Sequence, residues 1–289
     1  MGYKAVIRRY YVLSKPGIIY ANVLTAAAGY LYASAWNISF STIIGLLIGL
    51  ALVIAGACAV NNYLDQGIDA AMQRTKKRGL VTGDIRSWQA LTYSAITTGL
   101  GLAVLSLTQN RVTIVLAIIA YVDYVVLYGW GKRNTVHSTL IGCVSGAIPL
   151  VAGYTAVAGR IDVTALLLFA LMVAWQMVHF YGIALFRFKD YKAAKLPLMP
   201  VVYGVKSTQI QALLYLFLFM VVCIGLILHD DIGFIAAGAL LIISVVWLVK
   251  ALRSYKVLDA EQWGRKVFLF SLIVLLTMAA VLSVDPLLV

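Results

Sequence analysis

The chain has 289 residues, of which 63% are hydrophobic and only 12% are charged. Soluble domains contain about 45–50% apolar residues, so this composition excludes an ordinary soluble domain and indicates an integral membrane protein. The net charge of +12 could suggest nucleic acid, but the basic residues stand between apolar runs and no nucleic-acid-binding module is recognisable. We therefore expect no nucleic-acid partner and attribute the charge to membrane topology.

Apolar runs recur along the whole chain. A transmembrane helix needs about 20 apolar residues, and these runs are long enough for helices and too long for the strands of a barrel. We count nine candidate spans, at residues 17–35, 41–64, 88–107, 112–130, 138–158, 163–185, 207–228, 232–250 and 267–284. The predicted fold class is therefore an all-α integral membrane protein with nine transmembrane helices, in a single domain over residues 1–289.

The distribution of Lys and Arg predicts the orientation of these spans. Only Arg111 and Arg160 fall in the short connections on one side, and all other Lys and Arg fall on the opposite side. Because basic loops stay in the cytoplasm, we expect a cytoplasmic N-terminus and an external C-terminus. The first residues, MGYKAVIRRYYVLSKPG, lack the apolar core and small-residue cleavage site of a signal peptide.

The three cysteines stand in separate apolar segments. Cys58, Cys143 and Cys223 have no CxxC spacing. Neither a disulfide framework nor a thiolate metal site is therefore expected, and we interpret these residues as buried thiols.

Residues 61–78, NNYLDQGIDAAMQRTKKR, begin in an apolar run and end in a basic cluster. Asn61, Asp65 and Asp69 are spaced four apart, which places them on one helix face. Carboxylates this close at a membrane boundary suggest a compensating cation, and oxygen ligands suit Mg²⁺ that retains waters and shares phosphate oxygens. The alternative interpretation is a polar helix end followed by a solvated run of charges.

The sixth span leads into a second basic loop that also contains an acid. The segment WQMVHFYGIALFRFKDYKAAKLPLMPVV places His179 near the end of the span and Asp190 among lysines. A lone His in an apolar helix is either a hydrogen-bonded core residue or a functional group, and a position inside the membrane favours function. Asp123, inside the fourth span, either makes a structural hydrogen bond to a neighbouring Tyr or Ser or lines a substrate cavity.

Several motifs, in the same order, resemble the UbiA-type intramembrane prenyltransferases over nearly the whole chain. They are SKPG, NNYLDQGID with MQRTKKR, GKRNTVHSTLIGCVSGAIP, WQMVHF, FRFKDYKAAKLPLMPVV and LRSYKVLDAEQWGRKVF. Within the family, they are most similar to the branch that farnesylates heme. The resemblance implies a bacterial inner-membrane protein with helices around a central cavity, and two acidic motifs that hold Mg²⁺ and a prenyl diphosphate at its cytoplasmic mouth.

The resemblance also implies roles for individual residues. The implied catalytic residues are Asn61, Asp65, Asp69, Arg74, Arg78 and Asp190, and the implied Mg²⁺ ligands are Asp65, Asp69 and Asp190. The implied substrate-binding residues are Lys15, Asn62, Lys132, Arg133, His179, Lys189, Tyr191 and Lys192. The chain departs from the superfamily pattern at Ala194, where a second aspartate of the second motif is usual, although the heme branch shares this departure.

The implied reaction transfers the farnesyl group of farnesyl diphosphate to a vinyl group of heme b, with addition of water, and releases diphosphate. An apolar farnesyl tail needs an oily cavity, and its charged head needs Mg²⁺ and cations. In this implied reaction heme b is a substrate, and Mg²⁺ is the cofactor. The other implied partners are membrane lipid and a heme–copper terminal oxidase or heme A synthase that receives the product.

The sixth helix offers a candidate heme surface. If it spans residues 163–186, one face carries Met172, Trp175, Gln176, His179 and Ile183. This mixed stripe would suit a flat apolar ring, and a neutral imidazole can ligate heme iron. The competing interpretation is that His179 only forms hydrogen bonds within the bundle.

Two other functions fit parts of the pattern. A prenyltransferase acting on an aromatic quinone precursor would share the first acidic motif, but Ala194 and WQMVHF argue against it. A secondary transporter would have as many spans, but its sign is a pair of interrupted helices at the bilayer centre, whereas these acids lie at one face beside arginines. Heme absorbance of the purified protein would distinguish the possibilities.

Overall fold

A computed structural model describes residues 3–229, 231–255, 257 and 259–288, and every regular element in these ranges is helical. In chain order the α-helices are α1 (Tyr3–Leu13), α2 (Pro16–Ser34), α3 (Phe40–Leu64), α4 (Gln66–Ala71), α5 (Gly79–Thr82), α6 (Ser87–Thr108), α7 (Arg111–Val122), α8 (Tyr128–Asn134), α9 (Ser138–Ala158), α10 (Val163–Phe186), α11 (Phe188–Ala193), α12 (Met199–Val202), α13 (Gly204–Leu228), α14 (Phe234–Tyr255) and α15 (Ala260–Val284). A π-helical turn, Asp123–Leu127, joins α7 to α8, and a 3₁₀ turn, Asp285–Leu287, follows α15. The predicted all-α fold is confirmed.

Eight helices within the described ranges are long and apolar enough to cross a membrane. They are α3, α6, the continuous helix formed by α7, the π turn and α8, and then α9, α10, α13, α14 and α15. The ninth predicted span corresponds to α2, which has 19 residues but is less apolar because it includes Pro16, Asn22 and several tyrosines. Each predicted span thus falls on a long helix, and the chain is a multi-pass membrane protein.

Polar side chains fix where several long helices begin. The side chain of Ser39 accepts a hydrogen bond from the backbone N–H of Thr42 at the start of α3, and Asp259 accepts from the N–H of Gln262 at the start of α15. Such caps satisfy N–H groups that have no partner within the helix. The helix boundaries are therefore encoded locally.

Small residues allow two helix pairs to approach closely. A Cβ atom on Gly153 would lie only 2.0 Å from the carbonyl oxygen of Ala26, where α9 crosses α2, and a Cβ atom on Gly264 would lie 2.6 Å from the carbonyl oxygen of Gly182, where α15 crosses α10. Small residues at such crossings are common in membrane helices because they permit backbone contact. These four helices enclose much of the central cavity described below.

The loops that carry the acidic motifs meet at one end of the bundle. Consecutive spans alternate in direction, so α3 and α10 finish at the same end, where α4, α5, α11 and α12 follow them. The helix α1 also lies there, before α2. We call this the charged end. The opposite end has short connections, such as residues 35–39 and 159–162.

Candidate active site

The first acidic motif forms a continuous polar face at the charged end. The backbone N–H of Asp65 donates to the carbonyl oxygen of Asn61 at 3.0 Å, and the N–H of Asp69 donates to the carbonyl oxygen of Asp65 at 2.8 Å. The four-residue hydrogen-bond spacing therefore continues across the junction of α3 and α4, and the three side chains share one face. All three residues are buried, as a polar stripe facing the protein interior requires.

Asp65 is paired with two cations from α8. Its Oδ2 atom forms an ion pair with Lys132 Nζ, and its Oδ1 atom lies 3.1 Å from Arg133 Nη2. Lys132 is itself buried. Because a buried charge left alone costs much more than a buried pair, Asp65 and Lys132 depend on each other, and they join α3 to α8.

Asp69 is paired with Arg78, which returns from the basic loop. The Nη1 atom of Arg78 lies 2.6 Å from Asp69 Oδ2 and also donates to Asn62 Oδ1 at 3.0 Å. The side-chain amide of Asn62 in turn donates to the carbonyl oxygen of Leu13 at 2.8 Å. A single hydrogen-bonded chain thus connects the first acidic motif to the end of α1.

Lys15 reaches the same stripe from the junction of α1 and α2. Its left-handed backbone, with φ of 50°, is uncommon for a residue with a side chain and directs Nζ to Asn61 Oδ1 at 2.6 Å. Burial lowers the pKa of Lys15 to about 8. The other amide atom of Asn61, Nδ2, is buried without a hydrogen-bond partner among the described residues. A buried donor of this kind is costly unless a bound group accepts from it.

The second acidic loop contacts the first one. Asp190, on the short helix α11, accepts a hydrogen bond from the backbone N–H of Gln73 at 3.2 Å. Tyr191 and Asp190 are both half-buried, and Ala194, which follows α11, supplies no second carboxylate. The structure therefore brings the two predicted acidic segments together, with Asp190 on the side facing the loop after α4.

The remaining predicted basic residues form the outer part of this region. Arg74, Lys189 and Lys192 are all exposed. Lys189 pairs with Glu261 at 3.2 Å, and both side chains are exposed, whereas Arg74 and Lys192 form no ion pair with any described residue. Unpaired cations beside a polar stripe are suited to an anionic ligand.

The acidic groups do not form a complete metal site by themselves. In the part of the chain that is described, no three His, Cys, Asp or Glu residues are grouped so that they could hold a metal ion. Mg²⁺ commonly binds one or two carboxylates and completes its octahedron with waters and substrate phosphates. The carboxylates of Asp65 and Asp69 could serve as these one or two protein ligands. The donor set therefore suits Mg²⁺ that binds together with a phosphate-containing ligand.

A cavity of about 350 Å³ lies within the bundle beside the stripe. Its walls come from α2, α3, α7, α9, α10 and α15, and most of the lining is apolar. Cys58, one turn before the stripe on α3, is part of this lining. The cavity thus begins about one turn from the stripe and extends toward the membrane interior, which suits the apolar tail of a ligand whose charged head lies at the stripe.

The predicted stripe on α10 lines this cavity, except at one position. Met172, Trp175, Gln176 and His179 all lie in the wall, but the cavity does not reach Ile183. The Oε1 atom of Gln176 sits 2.0 Å from where a Cβ atom on Gly146 would be. Gly146 therefore provides the space that lets this amide pack against α9.

His179 has a defined hydrogen-bond geometry inside the cavity wall. Its Nδ1 atom lies 2.7 Å from Ser271 Oγ, and that hydroxyl donates to the carbonyl oxygen of Phe268 at 2.6 Å. With the hydroxyl proton directed to Phe268, Nδ1 is the donor to Ser271 and the Nε2 lone pair is free. The imidazole also stacks on Trp175, with ring centroids 4.8 Å apart. These contacts hold the ring in one orientation.

Sequence reasoning did not identify two tyrosines that connect the cavity to the charged end. Tyr124 and Tyr128 stack with centroids 5.7 Å apart, and Lys132 Nζ lies 5.2 Å from the centre of the Tyr128 ring. Tyr124 lines the cavity. Tyr124, Tyr128 and Lys132 are spaced four residues apart in the sequence, and this spacing could have indicated a shared helix face. The intervening π turn could not be predicted from the spacing.

Asp123 has a structural partner. It is buried and accepts a hydrogen bond from the backbone N–H of Ser145 at 3.0 Å. Ser145 lines the cavity, whereas Asp123 does not. Of the two interpretations left open by the sequence, the structure supports the hydrogen bond to a neighbouring serine.

The helical bundle resembles bundles in solved structures of other proteins. A structure described as digeranylgeranylglyceryl phosphate synthase in membranes superposes with a TM-score of 0.80 at 20% identity, over 98% of this chain and 99% of that one. A UbiA homologue from Archaeoglobus fulgidus bound to GPP and Mg²⁺ has a TM-score of 0.75 at 15% identity, over 95% and 99%. At these identities the similarity establishes the fold, which is the fold of the UbiA homologues.

The sequence comparisons are more specific. The model of the UbiA prenyltransferase family matches residues 22–273, and the chain belongs to this family. It is 41% identical over 281 residues to a Yersinia pseudotuberculosis protein named protoheme IX farnesyltransferase, covering 97% of this chain and 95% of that relative.

Proposed function

We propose that the protein transfers the farnesyl group of farnesyl diphosphate to a vinyl group of heme b, with addition of water, and produces heme O and diphosphate. The observation that carries this proposal is the 41% identity, over nearly its whole length, to a relative named protoheme IX farnesyltransferase. Because the similarity covers both ends of the bundle, it supports the same reaction and not only the same fold.

The charged end supports binding of the diphosphate head. The exposed cations Arg74 and Lys192 have no acidic partner among the described residues, and the Asn61 amide has a free buried donor. We assign these groups to the phosphate oxygens, together with Lys15. The farnesyl tail then lies in the apolar cavity, where burial of its surface contributes to binding.

Asp65 and Asp69 are the proposed direct Mg²⁺ ligands, and Asp190, which the structure does not group with them, is the proposed third ligand once the diphosphate and its ion are bound. The bound ion supplies charge stabilisation to the departing diphosphate. The protein cations Arg78, Lys132 and Arg133 already hold the carboxylates in place, and their positive charge is available to the diphosphate as its negative charge grows.

The chemical steps need no nucleophilic side chain. The allylic C–O bond breaks, and its electron pair leaves with the diphosphate. The terminal carbon of a heme vinyl group captures the farnesyl cation, and the new cation next to the porphyrin takes up water and loses a proton, which gives the hydroxyethylfarnesyl group. The apolar cavity walls limit water near the first cation, since early capture by water would yield farnesol instead.

The reaction is tested by product identification. Proteoliposomes that contain the purified protein, Mg²⁺, heme b and farnesyl diphosphate should form a porphyrin whose mass equals heme b plus one farnesyl group and one hydroxyl group. Omission of either substrate is the matched control. If no such porphyrin forms and 4-hydroxybenzoate is prenylated instead, the quinone-precursor function replaces this proposal.

We also propose that the protein lies in a bacterial plasma membrane with the charged end and N-terminus in the cytoplasm and the C-terminus outside. The preference of basic loops for the cytoplasm supports this orientation, since Arg111 and Arg160 are the only basic residues assigned to the other side. The product would then pass to a heme–copper terminal oxidase or a heme A synthase in the same membrane.

Cysteine labelling tests the orientation. The native cysteines are all buried, so a cysteine introduced at an exposed position gives the main signal. In intact cells, a membrane-impermeant maleimide should label Arg160→Cys but neither Gln73→Cys nor Lys192→Cys, all of which are exposed positions. Labelling at residue 73 or 192 without permeabilisation would show that the charged end faces outside, opposite to the proposed orientation.

The pKa of Lys15 predicts a pH dependence. Because burial lowers this pKa to about 8, the ammonium loses its charge as the pH rises through 8, and affinity for the anionic diphosphate should fall. We expect kcat/KM for farnesyl diphosphate to decrease roughly tenfold between pH 7 and pH 9. Lys15→Arg keeps its charge and should abolish this decrease. An identical alkaline decrease in both proteins would remove Lys15 from the diphosphate site.

A further inference from the structure

The apolar face of helix α1 is only partly covered by the protein. Along one flank of this face, Tyr10 and Leu13 pack against a buried cluster beneath the helix. Along the adjoining flank, Tyr3, Ile7 and Tyr11 recur every four residues and are 80%, 51% and 50% exposed. An amphipathic helix with an uncovered apolar face is typical of a segment that lies along a membrane surface.

The uncovered face continues the lipid-facing side of α2. The hydroxyl groups of Tyr11 and Tyr20 are 2.9 Å apart. Tyr20, on α2, is 62% exposed, and its neighbours Ile18 and Leu24 are exposed as well. Since α2 runs beside the transmembrane helices, this contact places α1 at the level where α2 leaves the membrane. Tyrosine is enriched at this interface.

A basic pocket lies next to α1. It has a volume of about 450 Å³ and is bordered by Arg8 and Arg9 from α1, by Lys77 and Arg78 from the loop before α5, and by Asp84. Asp84 already forms an ion pair, because its Oδ1 atom lies 2.7 Å from Arg9 Nη2. Arg78 forms an ion pair with Asp69 in the candidate active site.

Two cations of this pocket therefore have no counter-ion. Arg8 and Lys77 form no ion pair with any residue in the described ranges, and both are exposed. Asp84 is the one acid that borders the pocket. The pocket therefore carries an excess of positive charge, which attracts anions.

We propose that this pocket binds the phosphate group of an anionic phospholipid, while Tyr3, Ile7 and Tyr11 enter the acyl boundary beside it. Arg8 borders the pocket and, three residues from Tyr11, is its neighbour on the helix surface. The charged head of a lipid can therefore reach the cations while its chains cover the apolar face. A free phosphate would satisfy only the cations. This inference does not depend on the proposed transferase activity, although Asn62 and Arg78 of the candidate active site also border the pocket.

The lipid site is tested by thermal unfolding of the full-length protein in detergent, followed with a thiol-reactive dye. The three buried cysteines become reactive on unfolding, so they report the midpoint. Phosphatidylglycerol should raise the midpoint by about 3 °C or more. Phosphatidylcholine and inorganic phosphate should not. Equal shifts with either of these two ligands would overturn the proposal.

Paired variants locate the site. In Arg8→Gln/Lys77→Gln, the shift caused by phosphatidylglycerol should disappear. The matched control, Lys206→Gln/Arg253→Gln, removes two exposed basic residues elsewhere and should retain the shift. Each variant is compared with its own midpoint without lipid, so that a change in basal stability does not affect the result. Equal loss in both variants would mean diffuse attraction to charge, and would contradict a defined pocket.

A second measurement tests the depth of the helix without relying on charge. A nitroxide attached to Ile7→Cys in phosphatidylglycerol-containing vesicles should be more accessible to oxygen than to a water-soluble nickel chelate. The reference site is Gln73→Cys, an exposed position in the basic loop, which should show the reverse. Greater accessibility of residue 7 to the nickel chelate would place α1 in water and overturn the proposal.

Discussion

Asp69→Asn should abolish farnesyl transfer, with a loss of at least about 100-fold in kcat/KM. The substitution removes an anionic ligand from the proposed Mg²⁺ site and leaves Arg78, now 2.6 Å from the Asp69 carboxylate, without its counter-ion. Asp65→Asn should act similarly, because Lys132 and Arg133 both pair with it. Turnover is measured from the mass of the porphyrin product at saturating heme b.

Glu261→Gln is the matched control for these carboxylate variants. Glu261 lies at the same end of the bundle and is exposed. The activity of the Glu261→Gln variant should therefore stay within about twofold of that of the parent protein, as is usual for surface substitutions. The melting temperature of each variant shows whether the fold survives. A folded Asp69→Asn protein with near-normal activity would mean that the stripe is only a polar helix end.

His179→Ala should weaken heme binding by about tenfold or more and leave the affinity for farnesyl diphosphate nearly unchanged. The reason is geometric: Ser271 holds Nδ1, and the free Nε2 lone pair is in the cavity wall, where a neutral imidazole can ligate heme iron. Asp69→Asn should show the opposite pattern. The measurements are a heme titration followed by the Soret band and a binding titration with farnesyl diphosphate.

Two further variants make the His179 result specific. His137→Ala removes an exposed histidine before α9 and should change neither titration. Ser271→Ala removes the partner of Nδ1 and should weaken heme binding by less than His179→Ala does, because the ligand remains but is no longer oriented. An unchanged Soret band in His179→Ala, or equal loss of both substrates, would leave His179 with a structural role only.

The helices were predictable because each depends on residues near one another in the sequence. Apolar length determines the spans, and capping side chains such as Ser39 and Asp259 determine where helices begin. The polar stripe of Asn61, Asp65 and Asp69 followed from their spacing alone. That residues 1–289 form one domain, and the roles assigned to the site residues, remain predictions.

The partners of the stripe could not be derived from local spacing. Lys132 and Arg133 lie more than sixty residues from Asp65 in the sequence, and their pairing depends on how α8 packs against α3. The π turn before α8 also changes which side chains face the cavity. The residue types of Asp123–Leu127 do not predict this turn. The resemblance to a family suggested these cations, but only the packing shows which carboxylate each one meets.

The ion pairs of Asp65 and Asp69 have a consequence for how the protein matures. Metal-dependent folds such as zinc fingers are unfolded until the ion arrives, because the free energy of binding the ion supplies their free energy of folding. Here the carboxylates are already neutralised by Arg78, Lys132 and Arg133. Insertion and assembly in the membrane therefore do not have to wait for a metal ion. Under the proposed Mg²⁺-dependent reaction, depletion of the ion should leave an intact but inactive protein that regains activity when the ion returns.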